Sequence, residues 1–490
     1  MFERRDVWEL SEENPWHPII EWYARAVTAM QGRDGMALPP DDFVPSDPTS
    51  WRYLAEIHGT SIPRRRWPQG ATWRECQHNS WFFLPWHRIY LHYFEQVVRH
   101  TIADLGGPGD WALPYWDYSD SERENVRRLP PAFREQRMPS GDPNPLFVSE
   151  RATDINQGGA LDPQLVRTDL AMAETSFRGP GVDGISGFGG PVTGWNHSAG
   201  ETVGVLEAVP HGGVHVGVGG SQPPGWMSLF ETAARDPIFW LHHANIDRLW
   251  EAWRALGDNR ANPTRARWLN MWYKVGGGAY AVTLTVREVL DTTQPPLTYH
   301  YSNISLPAPV RDALTARLET EARLAQEKPM PEDIFPEMVG ASEDRVPLTD
   351  RPTGVEVAVE APTGPALRER AEGAQPREVY LKVENVRGKE YTAPSYLVHV
   401  NLPPEADPAT NEDHLVGQVS MFGVREASGS DEEHSESGST FSFKITSVVQ
   451  RLREKGDWNE RRLHVTFTPV GAGAEQGGDV SVGRVSLFYA

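Results

Sequence analysis

The 490-residue chain is short of three things, and each shortage excludes something. It has one cysteine, Cys76, so no intramolecular disulfide framework can staple it. It has no run of about 18 apolar residues, so no segment is expected to span a membrane. Positive charge is scarce: 47 Lys and Arg stand against 67 Asp and Glu, a formal net charge of −20. Such an acidic chain repels phosphate backbones, which argues against a nucleic-acid partner. The first residues, MFERRDVWELSEENPW, lack the apolar core of a secretory leader, so a cytoplasmic location is expected.

What the chain does have is organised round Arg235 to Leu256. Asp236 is a helix cap and Pro237 a natural first helical residue. Phe239, Ile246, Leu249, Trp250, Trp253 and Leu256 recur at helical spacing, which predicts a largely buried helix. His242, His243 and Asp247 sit inside it, with Asp247 four past His243 and on its face. A lone buried histidine is more often a satisfied core residue than a ligand. Upstream, however, His211 and His215 in EAVPHGGVH share a face if that segment is helical. Three imidazoles from two helices can make one metal site.

A second set lies earlier. Ser50 to His58 reads as a capped helix ending in His58. His78 and His87 follow in CQHNSWFFLPWHRIYLHYFE. Nine apart, they would point to opposite faces of one helix, so they converge only if a break intervenes. Pro85 is the expected break, with His87 in the first turn of a new helix. His92 and His100 point elsewhere and read as structural, and His197 in a glycine-rich loop reads as solvated. Val282 to Val289 is ambiguous, and Thr298 to Asn303 looks extended. Residues 329 to 376 read as a Pro- and Glu-rich linker with one strand, Val355 to Val359. From Val379 the apolar period becomes two, which predicts an antiparallel β-sandwich interrupted by a helix from Ser447 to Lys455. The expected division is 1–305, mainly helical; 306–376, linker with a short helix and a strand; and 377–490, sandwich.

Two all-imidazole triads, His58, His78, His87 and His211, His215, His243, argue for copper over a hydrolytic two-metal site, which usually includes a bridging carboxylate. Mononuclear zinc is the plainer alternative. In this pattern the chain resembles the type-3 copper proteins: tyrosinases, catechol oxidases (polyphenol oxidases) and hemocyanin units. The matching pieces are QHNSWFFLPWHRIYLHYFE, LPYWDY, LEAVPHGGVH, DPIFWLHHANIDRLW and TYHYSN, in family order. The C-terminal part resembles the C-terminal domain of plant polyphenol oxidases.

The resemblance implies a mainly α catalytic domain round a four-helix bundle with a dicopper centre, shielded by a C-terminal domain. It implies that the six named histidines bind two copper ions, that dioxygen is the co-substrate and that a small phenol is oxidised. His242 would be structural, and Asp247 would orient a ligand imidazole. Cys76, two before His78, would form a thioether with it. Glu207 would hold a water near one copper, and Phe230 would overhang the other. Gly212, after His211, lacks the amide that good monophenol hydroxylases often carry there. A latent catechol oxidase with weak monophenolase activity is the leading expectation. An o-aminophenol oxidase and a dioxygen carrier are the rivals.

Overall fold

The computed structural model describes the chain apart from residues 37–38, 121, 180–184, 195–201, 222, 258–259, 326–335, 361–377, 389–393, 409, 430–437, 472–479 and 490, and the side chains of 320–325. His197 lies outside the described residues.

The first 300 residues build a helical half round the Phe83–Asp104 helix, which packs on the Pro18–Gly32 helix and on the Pro237–Ala255 helix. The contact is aromatic: Phe94 stacks face to face on Trp240, with centroids 3.5 Å apart. Local signals set the starts of these helices. Asp236 accepts a hydrogen bond from Ile238 N–H at 3.0 Å, and Ser50 Oγ accepts one from Tyr53 N–H at 3.3 Å. Strand Phe2–Arg4 pairs in parallel with strand Tyr299–Tyr301, so the two ends of this half meet.

The second half is a ten-stranded sheet in which every pairing is antiparallel. Its long strand Val379–Gly388 lies between Ser439–Lys444 and Arg484–Tyr489, with Leu381 opposite both Phe443 and Leu487. The segment expected as a linker contributes three strands, Glu337–Ala341, Val346–Leu348 and Thr353–Val359. The first two are too short to show a clear period, so only the third was legible. Val282 to Val289 resolves into strand Val282–Thr285 followed by a 3-10 turn, Val286–Val289, with a Thr285–Glu288 capping box.

A one-sided alternation was expected at Val379, Leu381 and Val383. Instead, residues 379 to 383 are buried at every position. The reason is tertiary, because the sheet is covered on its second face too. The Thr446–Lys455 helix joins its core, while Leu165 of the helical half packs on Leu397, Leu415 and Val470, and Ile185 packs on Tyr380. The backbone also crosses between the halves: Val203 N–H donates to Thr440 C=O at 2.9 Å.

Candidate metal centre

Six imidazoles converge where these elements meet, and all six are buried. His58 closes the Trp51–His58 helix. His78 lies in the loop before Phe83, and His87 is the fifth residue of the Phe83–Asp104 helix. The expected break between His78 and His87 is present, but it falls before Phe83, so Pro85 sits inside the first turn. His211 and His215 share one helical stretch, as their spacing suggests: Gly212 and Gly213 between them are both helical, and the kink lies before them. There Val209 is extended, at φ −147° and ψ 128°. Ring centroids within the first triad are 5.2–5.7 Å apart. Those within the second are 4.6–5.6 Å apart. The triads face each other through His87 and His243, stacked at 4.6 Å.

Four of these rings are oriented by backbone carbonyls. Nδ1–H donates from His58 to Phe230 C=O at 3.2 Å, from His87 to Phe83 at 2.8 Å, from His211 to Glu207 at 3.0 Å and from His215 to Met227 at 2.8 Å. A carbonyl only accepts, so Nδ1 carries the hydrogen in each case and Nε2 is left as a lone pair. His87 Nε2 and His211 Nε2 are buried with no hydrogen-bond partner among the described residues, an arrangement that costs about 1–3 kcal/mol per group unless something accepts the lone pair. His215 Nε2 and His243 Nε2 lie 3.4 Å apart. Burial pushes His211 down to about 3 and holds His87, His215 and His243 well below the ordinary histidine range, so the rings are neutral and able to donate to a metal. An all-imidazole donor set of this kind fits a borderline transition metal such as copper. His242 groups with His211, His215 and His243, but its Nδ1 is engaged by the Tyr118 hydroxyl at 3.0 Å.

The surrounding residues divide into those the sequence anticipated and those it did not. Cys76 is buried, and its sulfur groups with ring nitrogens of His58 and His78, all within 4.8 Å. Glu207 is buried, and its carboxylate accepts Asn79 N–H at 2.9 and 3.0 Å; burial raises it to about 8. Phe230 stacks over His58 at 5.6 Å and meets His78 edge-on at 4.4 Å.

Asp247 requires a correction: it was expected to orient a ligand imidazole, and it does not. It accepts Arg88 Nε–H at 2.6 Å, the Tyr299 hydroxyl at 2.5 Å, the Tyr301 hydroxyl at 2.6 Å and Arg4 Nη1–H at 3.4 Å. Burial alone would raise it, but the Arg88 and Arg4 guanidiniums and the two tyrosine hydroxyls outweigh that and hold it below the usual carboxylate range. Backbone carbonyls, and not a carboxylate, orient four of the six rings. The network round Asp247 instead pins the His243 helix to the Phe2–Arg4 and Tyr299–Tyr301 strands.

Sequence reasoning also missed Phe422, which comes from the sheet half. It stacks on His215 at 4.0 Å and 9° and on Phe230 at 4.9 Å and 11°, and it meets His211 edge-on at 5.6 Å. A single Phe in a turn carries no periodic signal, and nothing local could have pointed to it.

Comparison with known proteins agrees with this geometry. The common central domain of tyrosinase matches residues 48–256. A domain of unknown function, DUF7868, matches 335–490. A tyrosinase of Hahella sp. (strain CCB-MM4) is 34% identical over 512 residues, covering 99% of this chain and 98% of that one. The latent form of a chloroplastic polyphenol oxidase of Prunus armeniaca is 30% identical over 305 residues, covering 59% of this chain and 48% of that one. Among solved structures, latent apple tyrosinase shares the fold, with a TM-score of 0.63 and 21% identity over 100% of this chain and 97% of that one. These relatives overturn the cytoplasmic expectation. The Prunus enzyme is chloroplastic and the Hahella relative bacterial, so the missing leader pattern does not fix a compartment. No helix among the described residues is long and apolar enough to cross a membrane.

Proposed function

The chain belongs to the tyrosinase family of type-3 copper proteins, and from that premise we propose that it is a polyphenol oxidase turning o-diphenols into o-quinones, held latent by its own C-terminal half. It is a copper oxidoreductase acting on phenols, with a dinuclear copper centre and dioxygen as co-substrate. The observation that carries the copper chemistry is the pair of facing imidazole triads, in four of whose six rings a carbonyl-bound Nδ1–H frees the Nε2 lone pair, and the finer reading is supported by Phe422 against them.

In this reading His58, His78 and His87 hold one copper, and His211, His215 and His243 hold the other. Residues 1–305 form the catalytic domain round a helical bundle, and the sheet half shields, counting the three strands between Glu337 and Val359 that were expected in the linker 306–376 as well as 377–490. The copper pair supplies dioxygen binding and electron transfer. Each diphenol gives up two electrons and two protons, so two diphenols reduce one dioxygen to two waters. Phe230 limits the approach over His58, and the Glu207 carboxylate is aimed by Asn79 N–H to hold a water and accept a proton. With no side chain at Gly212 to share that work, monophenols are poor substrates; losing one oriented hydrogen bond costs roughly 1–3 kcal/mol, about one to two orders of magnitude in rate. Phe422, stacked on His215 and Phe230, occupies the space an aromatic substrate would use, which supports latency. Cys76 and His78 form the thioether in this reading, so the intact mass after copper loading and turnover in dioxygen falls two hydrogens below the calculated value. A freely alkylated thiol in that sample, once denatured, refutes the bond.

Oxygen uptake by copper-loaded full-length protein tests the activity. Catechol is expected to be consumed about 10- to 100-fold faster than tyrosine, and faster than 2-aminophenol. Faster turnover of 2-aminophenol would make the protein an o-aminophenol oxidase instead. Dioxygen binding without turnover of any of the three, in the uncovered Phe422→Ala variant as well as in the wild type, would make it a carrier.

A further inference from the structure

We propose that Gly212 is the seat of the cover, so that one position decides both what stands beside the substrate and whether the C-terminal half can close. This rests on the reading of Phe422 as the occluding side chain. A Cβ built on Gly212 would lie 2.9 Å from Ser420 Cβ and closer still to Ser420 Oγ, with Glu207 C=O at 3.4 Å behind it. Real Cβ atoms do not approach so closely. Rotating the Ser420 hydroxyl relieves only one of the two contacts, because Cβ moves only with the backbone.

That backbone is anchored. Ser420 is buried directly after strand Leu415–Val419, and its Oγ accepts Phe422 N–H at 3.3 Å. On the other side of Phe422, Gly423 takes a left-handed conformation at φ +79°, and a Cβ there would come 3.0 Å from Phe230 Cε2. The four residues Ser420–Gly423 are therefore gripped at two points of the helical half, Gly212 and Phe230, and Phe422 enters between them. Gly212 directly follows His211, so any side chain at 212 enters the same space beside the metal centre that Ser420 fills from the sheet half. A residue there can help bind or deprotonate a phenol, or it can lie under a closed cover, but not both. The missing amide and the latency thus have one cause.

A set of full-length, copper-loaded variants tests this through catechol turnover per copper pair. Gly212→Ala adds one methyl and no polar group. It is expected to raise turnover about tenfold, the scale on which overpacking by one methyl opposes closure. Phe422→Ala is expected to raise it as well, and the double variant no further than the larger single, because both act by opening one cover. Gly212→Ala with Ser420→Gly, which deletes both clashing atoms, is expected to return turnover to the wild-type level. If Phe422→Ala raises turnover and Gly212→Ala does not, the seat is wrong and the cover stands. If Phe422→Ala has no effect, the cover itself is wrong. A Gly212→Ala increase that persists undiminished in the Phe422→Ala background means a direct effect at the site and overturns the proposal. Should Gly212→Ala fail to fold, Ser420→Leu presses on the same contact from the sheet side, and unchanged turnover there refutes it.

Discussion

The helical half and the sheet half bury different chemistry. In the helical half the largest fully buried side chains are tryptophans, from Trp73 to Trp268, together with Arg4, Arg88 and Arg248. Arg4 pairs with Glu95 at 2.7 Å and Asp247 at 3.4 Å, Arg88 with Asp247 at 2.6 Å, and Arg151 with Asp236 at 2.6 Å, all largely out of water. The sheet half is built from Val357, Leu381, Val383, Val398, Val400, Leu463, Val465 and Leu487, and among its described residues Lys382 is the only Lys, Arg, Asp or Glu that is buried. Buried ions are poor contributors to stability but fix geometry, since each must meet a specific partner. Aliphatic side chains stabilise more freely and specify less. The difference matches what each half brings to the centre: one holds six imidazoles in register, while the other places one phenyl ring, Phe422, against them.

The sharpest way to break that comparison is Asp247→Ala. It leaves Arg4 and Arg88 facing each other without their shared carboxylate, and an expected loss of about 3–5 kcal/mol should be accompanied by loss of copper. Thermal unfolding and metal analysis read both, and full copper retention would show that the ionic network does not hold the site. In the sheet, Leu463→Ala removes a fully buried side chain, with an expected cost of about 2–5 kcal/mol. Here copper content should stay at the wild-type level, because no ligand depends on the sheet.

The smallest expected effect is a dependence on pH. His92 lies beneath the helical surface with Nε2 2.8 Å from the Gln96 amide nitrogen, and burial lowers it to about 4. The unfolded chain binds this proton near 6.5, so the stabilisation is complete above that pH and is lost as pH falls towards 4, up to about 3 kcal/mol. His399 in the sheet is lowered to about 4 in the same way, its Nε2–H donating to Pro408 C=O at 3.1 Å. His92→Gln and His399→Gln should each flatten the acid limb of a stability-versus-pH curve between pH 6.5 and 4. If only one does, acid lability belongs to one half and not to both.

Much of the site could be read from the chain because it is local. Asp236 before Pro237, Ser50 before the His58 helix, and the HH pair inside an apolar helix each carry their signal within a few residues. The two-residue period from Val379 onwards likewise announces strands. What the sequence could not contain is decided by partners distant in the chain. The loop carrying His78 begins its helix at Phe83 and not at Pro85. Asp247 turns to Arg4 and Arg88, with Arg4 lying 243 residues away, and leaves the imidazoles to backbone carbonyls that have no side-chain signature. Strands expected to be one-sided are buried on both faces because the helical half lies against them. Phe422 and Gly212 lie 210 positions apart, and only tertiary packing brings Ser420 against the one residue beside His211 that has no side chain. Residue types and spacing determined the metal chemistry. The close packing of one half against the other at Gly212, where a Cβ would lie 2.9 Å from Ser420 Cβ, was decided by the tertiary structure, because the two residues meet only in the folded chain.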